Sequence, residues 1–180
     1  MAADIQVSRA GRDDLPEIAR LARMIWNAHY PGIIPREQID YMLDRMYAIE
    51  QMAQEIEHGG VHYFLARRSD PALGFAAVGP TPVASEFKLH KLYVLPECHR
   101  QGVGRALLRH VCADVDHQGG RTLVLAVNKA NQKALAAYRR YGFRERQAVR
   151  VDIGGGFVMD DFILAASLPD LMRVNEPGHG

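Results

Sequence analysis

Cysteine is scarce in this sequence. Cys98 and Cys112 are the two examples in 180 residues, too few for a disulfide framework and not at a metal-ligand spacing. A reducing compartment is the simple consequence. Long apolar runs are lacking too: no stretch approaches the roughly 20 residues that span a bilayer. The opening Met1-Ala2-Ala3-Asp4-Ile5-Gln6-Val7 has no basic segment leading into an apolar one, as a secretory signal requires. The expectation is a cytoplasmic protein with no membrane partner. Nor is one sign of charge in excess. Against 22 basic side chains stand 21 acidic ones, a net charge of +1, which argues against a nucleic-acid partner held by a broad basic face. Eight histidines are scattered, none paired with a carboxylate or cysteine at ligand spacing, so no metal is expected.

What is present suits one domain with a substantial core: 48% of residues are apolar and 24% charged, the balance of a globular chain. Ile5 and Val7 alternate with polar neighbours as a short strand. Asp13 or Asp14 then caps a helix whose Leu15, Ile18, Leu21, Ala22 and Ile25 recur at helical spacing. Tyr30-Pro31-Gly32 and Pro35 interrupt it. A second helical region runs through Ile39, Met42, Leu43 and Met46 and past a break to Ile56, ended by Gly59-Gly60.

Period-two patterning follows, with strands at Val61 to Ala66, Leu73 to Val78 and Phe87 to Leu95. A helix spans Gly102 to Asp116, a strand Leu123 to Val127, and a helix Asn131 to Tyr141. Two strands, Arg144 to Asp152 and Phe157 to Ala165, close the pattern, and the tail after Pro169 reads as polar and frayed. The order is that of an α+β chain with a mixed sheet, not the strict alternation of a doubly wound fold.

The strand Lys88 to Val94 runs through Leu95-Pro96-Glu97-Cys98-His99-Arg100-Gln101-Gly102-Val103-Gly104-Arg105 straight into a helix. Gly102 and Gly104 let backbone approach a ligand closely. The first amides of the new helix lack internal partners, and with the helix dipole they form a site suited to a pyrophosphate. Arg100 and Arg105 can add charge. Gly104-Arg105-Ala106 fails the Walker ending, and Leu107 stands where a dinucleotide fingerprint needs Gly or Ala. On this loop alone, a phosphate ligand and simple tight packing remain equal alternatives.

A second motif separates them. Asn128-Lys129-Ala130-Asn131-Gln132-Lys133-Ala134-Leu135-Ala136-Ala137-Tyr138-Arg139-Arg140-Tyr141-Gly142-Phe143 puts Asn131 at a helix start and Tyr138 two turns later on the same face. With the glycine loop, it resembles the GNAT superfamily of acyl-CoA N-acyltransferases, whose pattern is Gln/Arg-x-x-Gly-x-Gly/Ala, then Asn-x-x-Ala-x-x-x-Tyr-x-x-x-Gly-Phe. The likeness is close over about 87 to 143. The family's Gln/Arg position falls on His99, with Arg100 beside it.

The resemblance implies a mixed, mostly antiparallel sheet of about seven strands flanked by helices, a single acyltransferase domain over 1–168 and a tail over 169–180. It implies acetyl-CoA as co-substrate. Leu92, Tyr93 and Val94 would meet the pantetheine arm, the Leu92 and Val94 backbones pairing with it like an added strand, and the Val94 amide would serve as oxyanion donor. Amides from Gln101 through Gly102, Val103, Gly104 and Arg105 to Ala106 would hold the pyrophosphate, with His99 and Arg100 nearby. Asn131 would bond the pantetheine, with Lys133 close by, and Tyr138 would protonate the departing thiolate.

An alkyl amine near pKa 10.4 must lose a proton before it attacks. His90 shares strand parity with Leu92 and Val94 and is the candidate base, Glu86 the alternate on the same parity. A bulge in the strand would change both assignments. Some family members acting on arylalkylamines are similar in carrying a histidine here. Packing or simple exposure is an equal alternative for His90.

Acceptor-side candidates are Trp26, His29, Tyr30, Ile33 and Ile34, with core packing the alternative for Trp26. Asp160 and Asp161 put one carboxylate on each face of a strand, either to meet a cationic amine or to line a solvated edge. The segment Ile25 to Gly32 and the closing strand are similar to bacterial polyamine or diamine acetyltransferase branches.

Three functions of different kinds follow: transfer of acetyl to the amine of a small molecule or peptide, non-catalytic acyl-CoA sensing, or nucleotide binding at the glycine loop. A homodimer is left open.

Overall fold

The computed structural model describes residues 4–176. Seven strands form one sheet in the order β1-β2-β3-β4-β5-β7-β6. In the chain they are β1 (Gln6–Ala10), β2 (His62–Arg67), β3 (Gly74–Pro80), β4 (Glu86–Val94), β5 (Thr122–Asn128), β6 (Arg144–Gly154) and β7 (Phe157–Ser167). The helices are α1 (Leu15–His29), α2 (Arg36–Met46), α3 (Ile49–Glu57), α4 (Val103–His117), α5 (Gln132–Tyr141) and α6 (Leu168–Val174). This is the mixed, mostly antiparallel sheet expected: only β4 and β5 run parallel.

Each helix buries the stripe its sequence marks. Leu15, Ile18, Leu21, Ala22, Ile25 and Trp26 are the buried residues of α1, and Val103, Leu107, Leu108, Val111, Cys112 and Val115 those of α4. The helical region expected to run to Ile56 is two helices, broken at Tyr47 and Ala48. Asp14 does not cap α1 with its side chain; its carboxylate accepts from the Gly11 amide 2.9 Å away, closing a short turn ahead of the helix.

The tail expected to fray from residue 169 is helical as far as Val174. Ser167 caps α6 by accepting from the Asp170 amide, Pro169 lies in the first turn where its missing N–H costs nothing, and Leu168 and Leu171 are buried. The Asn175 side chain ties the end down by donating to the carbonyls of Tyr141 and Leu171.

Two features of β4 position the cleft. Its pairing with β5 stops after Glu86–Thr122, Phe87–Leu123 and Lys88–Val124, so the two strands splay and the later edge of β4 is open. Against β3, the register slips by one residue: Ala77 pairs with Lys91 but Val78 with Leu89, leaving His90 as a bulged extra residue.

Candidate active site

The splay opens a cleft of about 900 Å³ between the free edge of β4, the start of α4, α5 and the inner faces of β6 and β7. The Leu95 amide donates to the Leu73 carbonyl at 2.9 Å, which sets the phase of the ladder. Alternation along an antiparallel pair then turns the backbone groups of Leu92 and Val94 away from β3, toward the gap. The Val94 carbonyl is occupied there by the His99 side chain, with Nε2 at 3.0 Å. His99, at the family's Gln/Arg position, therefore braces the strand end.

The loop ends on Gly102 at φ +82°, and Arg100 also has positive φ at 60°. The first bond inside α4 runs from the Ala106 amide to the Gly102 carbonyl, 2.9 Å. Ala106 is thus a correction to the proposed anion cradle: its N–H belongs to the helix. The amides of Val103 and Gly104 precede that bond and border the cleft. Gly104 packs closely, since a Cβ there would lie 2.9 Å from the Tyr141 hydroxyl oxygen and that side chain would have to shift. Gln101 lies outside the cleft lining, its side chain accepting from Arg68 at 3.1 Å and donating to the Glu97 carbonyl at 2.8 Å. Arg105 is not part of the lining either.

Asn131 and Tyr138 face the same cleft from α5, as does Lys133. Asn131 caps the helix, its Oδ1 accepting from the Ala134 amide at 3.2 Å and lying 3.1 Å from His29 Nε2. Burial holds Tyr138 above the ordinary tyrosine value, with Tyr30 and Tyr141 adding to the shift, so the phenol keeps its proton through neutral pH. These residues fit coenzyme A: an open strand edge for its arm, helix-start amides for its diphosphate and a phenol in the same cleft lining.

The base candidates need correcting. The bulge breaks the parity that tied His90 to Leu92 and Val94. A Cβ on Gly79, which pairs with Lys88, would come within 3.4 Å of His90 Nε2, so His90 shares the face of Lys88, Lys91 and Tyr93. The Tyr93 ring meets Trp26 of α1 at 5.8 Å, whereas the Val94 side chain points at α4 on the other face. His90 still borders the cleft. The residue is exposed overall, but desolvation where the ring lies against the wall, then Lys88 and Lys91, push the ring down to about 4, below the near-neutral value a base would use. Glu86 is outside the cleft lining, and its carboxylate accepts from Arg146 at 2.7 Å and Thr81 at 3.2 Å.

Trp26, His29, Tyr30 and Ile34 all border the cleft, and the Tyr30 and Tyr93 hydroxyls meet at 3.2 Å. Sequence patterning missed Lys91, which is buried beneath this wall. Its Nζ donates to Tyr63 at 2.6 Å and to Glu55 at 3.1 Å, and Tyr63 also donates to Glu55. A lysine at a buried position of an apolar strand was the available signal; its partners lie 28 and 36 residues earlier. Among the described residues, no cluster of three or more metal-ligating side chains exists and no helix is long and apolar enough to cross a membrane.

A sequence profile described as "Acetyltransferase (GNAT) domain" matches residues 34–159. A ribosomal-protein-alanine N-acetyltransferase of Escherichia coli (strain K12) is 41% identical over 63 residues, 35% of this chain and 43% of that one. The chain therefore spans less than half the length of that relative. A spermidine N(1)-acetyltransferase of Thermoplasma acidophilum is 26% identical over 160 residues, 87% of this chain and 96% of the other. The crystal structure of PaiA N-acetyltransferase from Thermoplasma acidophilum in complex with coenzyme A superposes with TM-score 0.78 at 23% identity, over 91% of this chain and 99% of that one. With the profile covering well over half of its residues, the chain belongs to the GNAT acetyltransferases, the family whose co-substrate is acetyl-CoA.

Proposed function

We propose that this protein transfers acetyl from acetyl-CoA to the primary amine of a small molecule or peptide, by direct attack with both substrates held together. One observation carries the reading: the open edge of β4 ends beside the first amides of α4, with Tyr138 across the same cleft. When bound, acetyl-CoA supplies an activated acetyl thioester. Leu92 offers its backbone groups to the arm, and Val103 and Gly104 offer amides to the diphosphate. Val94, whose carbonyl is taken by His99, offers its N–H for charge stabilisation at the acyl oxygen. Tyr138 holds a proton for the departing sulfur. The amine acceptors named for the two curated relatives support an amine here. Both cysteines are free and buried, which suits the cytoplasm.

Thiol release from acetyl-CoA, measured across polyamines, arylalkylamines, alkylamines, amino acids and N-terminal peptides, tests the reading. Turnover is expected with at least one amine class. Tyr138→Phe is expected to lower kcat by about a hundredfold, the scale of one positioned proton donor, with acetyl-CoA affinity by calorimetry unchanged. Binding without thiol release for any amine would make the protein a sensor. No binding at millimolar acetyl-CoA would end the acyltransferase reading altogether.

A further inference from the structure

Holding acetyl-CoA and protonating its sulfur leave one buried charge of the cleft unexplained. Asp161 on β7 is 5% exposed and borders the cleft. Its Oδ1 has no hydrogen-bond partner among the described residues. The position is fixed by two ladders, for Asp161 pairs with Asn128 of β5 and with Val149 of β6. Cross-strand partners share a face, and β5 alternates by two, so Asp161 lies on the face of Asn128, Ala126 and Val124, and hence of Lys88, the partner of Val124. That is the face of His90 and Tyr93, opposite the side chains of Leu92 and Val94. Neighbouring Asp160 takes the other face, where Lys129 pairs with it at 2.5 Å.

An unpartnered carboxylate in such a place is unfavourable unless a ligand supplies its counter-charge. The surrounding wall is apolar, including Trp26, Met42, Val151, Met159 and Ile163. Of the cations lining the cleft, Arg100, Lys133 and Arg140 come from the loop before α4 and from α5, Lys91 is already matched by Glu55, and Lys88 shares the face of Asp161. The acceptor half thus has a seat for one ammonium and a positive charge that disfavours a second.

We propose that Asp161 receives the ammonium of an acceptor with an apolar body and takes the proton its nitrogen must lose before attack. The assignment rests on the acetyltransferase reading and supplies the base that neither His90 nor Glu86 provides. Tyr30 connects the two ends of the chemistry, being within electrostatic reach of both Asp161 and Tyr138. The charged and titratable groups that act on Asp161 are Lys88 from β4 on its own face, Tyr30 just after α1, and Asp160 and Lys129 from the opposite face; from β6 it meets apolar Val149. Burial raises the carboxyl to about 6, with Asp160 adding to the rise while Lys88 and Lys129 oppose it. It is charged at pH 7, yet nearer to neutrality than a free aspartate.

The proton count closes. One proton passes from the ammonium to the Asp161 carboxylate. The freed lone pair forms the N–C bond as the C–S bond breaks, and the electron pair left on sulfur takes the Tyr138 proton. The new amide nitrogen returns its surplus proton to the tyrosinate, and Asp161 releases its own to solvent. One thiol, one amide and one net proton result.

The test compares wild type with Asp161→Asn on acetyl-CoA with hexylamine, phenethylamine and spermidine. The variant should lose about a hundredfold or more in kcat/KM for the monoamines, with acetyl-CoA affinity by calorimetry unchanged. Wild-type kcat/KM should rise with pH through about 6, a limb missing in Asp161→Asn and kept, at reduced rate, in Asp161→Glu. Spermidine should be about tenfold poorer than hexylamine, one factor of ten being about 1.4 kcal/mol. Retention of activity within about threefold in Asp161→Asn overturns the assignment alone, as does a preference for spermidine. Wild type that binds acetyl-CoA but acetylates no amine overturns it together with the enzyme reading.

Discussion

Replacing Asp161 by Asn should stabilise the protein, by an amount that depends on pH in a defined way. The folded chain holds this carboxyl at about 6 against an ordinary 3.8, because burial disfavours its charged form. At about 1.36 kcal/mol per tenfold change in proton affinity, the gap corresponds to about 3 kcal/mol. A folded-state value above the unfolded one means that the native protein binds a proton the unfolded chain has released, so stability falls as pH rises between them. The penalty is absent below about 4 and complete above about 6. Asn keeps the shape and cannot ionise. The variant should therefore gain about 3 kcal/mol at pH 7, about 6–12 °C in Tm for a chain of this size, and almost nothing at pH 4. Urea titrations of both proteins from pH 4 to 8 measure the difference, which cancels the titration of all other groups. A difference that is flat with pH, or that favours wild type at pH 7, would refute the uncompensated charge and weaken the case for Asp161 as an ammonium seat.

Gly102→Ala should lose about 1–2 kcal/mol in urea denaturation, because φ of +82° is a left-handed conformation that Ala adopts at that cost. No atom lies within 4 Å of the added Cβ, so the loss is backbone strain alone, and relaxing it should turn the Val103 and Gly104 amides and weaken acetyl-CoA binding in calorimetry. Lys91→Met should lose about 3 kcal/mol by the same denaturation assay, since it leaves Glu55 without its buried counter-ion, while Lys91→Met combined with Glu55→Gln should recover most of it. Equal stability of single and double variants would show that the pair is not coupled.

What was legible in the sequence is what is local. Gly102 could be read because glycine is the residue that takes a left-handed conformation at a strand-to-helix corner at least cost. Asn131 could be read because its cap is made to Ala134, three residues on. The parity of β4 could not, since one inserted residue against β3 reverses every face beyond it and nothing local to His90 announces the slip. The same limit hid the depth of Asp161. Alternation shows that Asp160 and Asp161 face opposite ways, but which face is buried depends on β7 lying between β5 and β6, a long-range arrangement. The helix after Ser167 was masked by its brevity. Its Pro169 reads as a breaker until Leu168 and Leu171 are seen to have a surface to cover.

The two faces of β4 bear on how acetyl moves. Transfer through an enzyme-bound acyl group would need a nucleophile in the cleft, and Cys98 is the one thiol bordering it. Burial and Glu97 raise that thiol above its ordinary value, which leaves little thiolate at pH 7. Cys112, pushed up to about 12, lies outside the cleft lining. The geometry instead separates two jobs along one strand. The edge of β4 offers backbone at Leu92 and Val94, and its α1-side face offers Tyr93 and the wall leading to Asp161. On the proposed reading, an arm laid along the edge and an amine seated against the face would converge in the cleft that Tyr138 also lines, without an intermediary. The bulge at His90 sets this division: it leaves His90 on the face of Lys88 and shifts the register by one, so that Leu92 and Val94 carry their side chains on the opposite face from Lys91 and Tyr93.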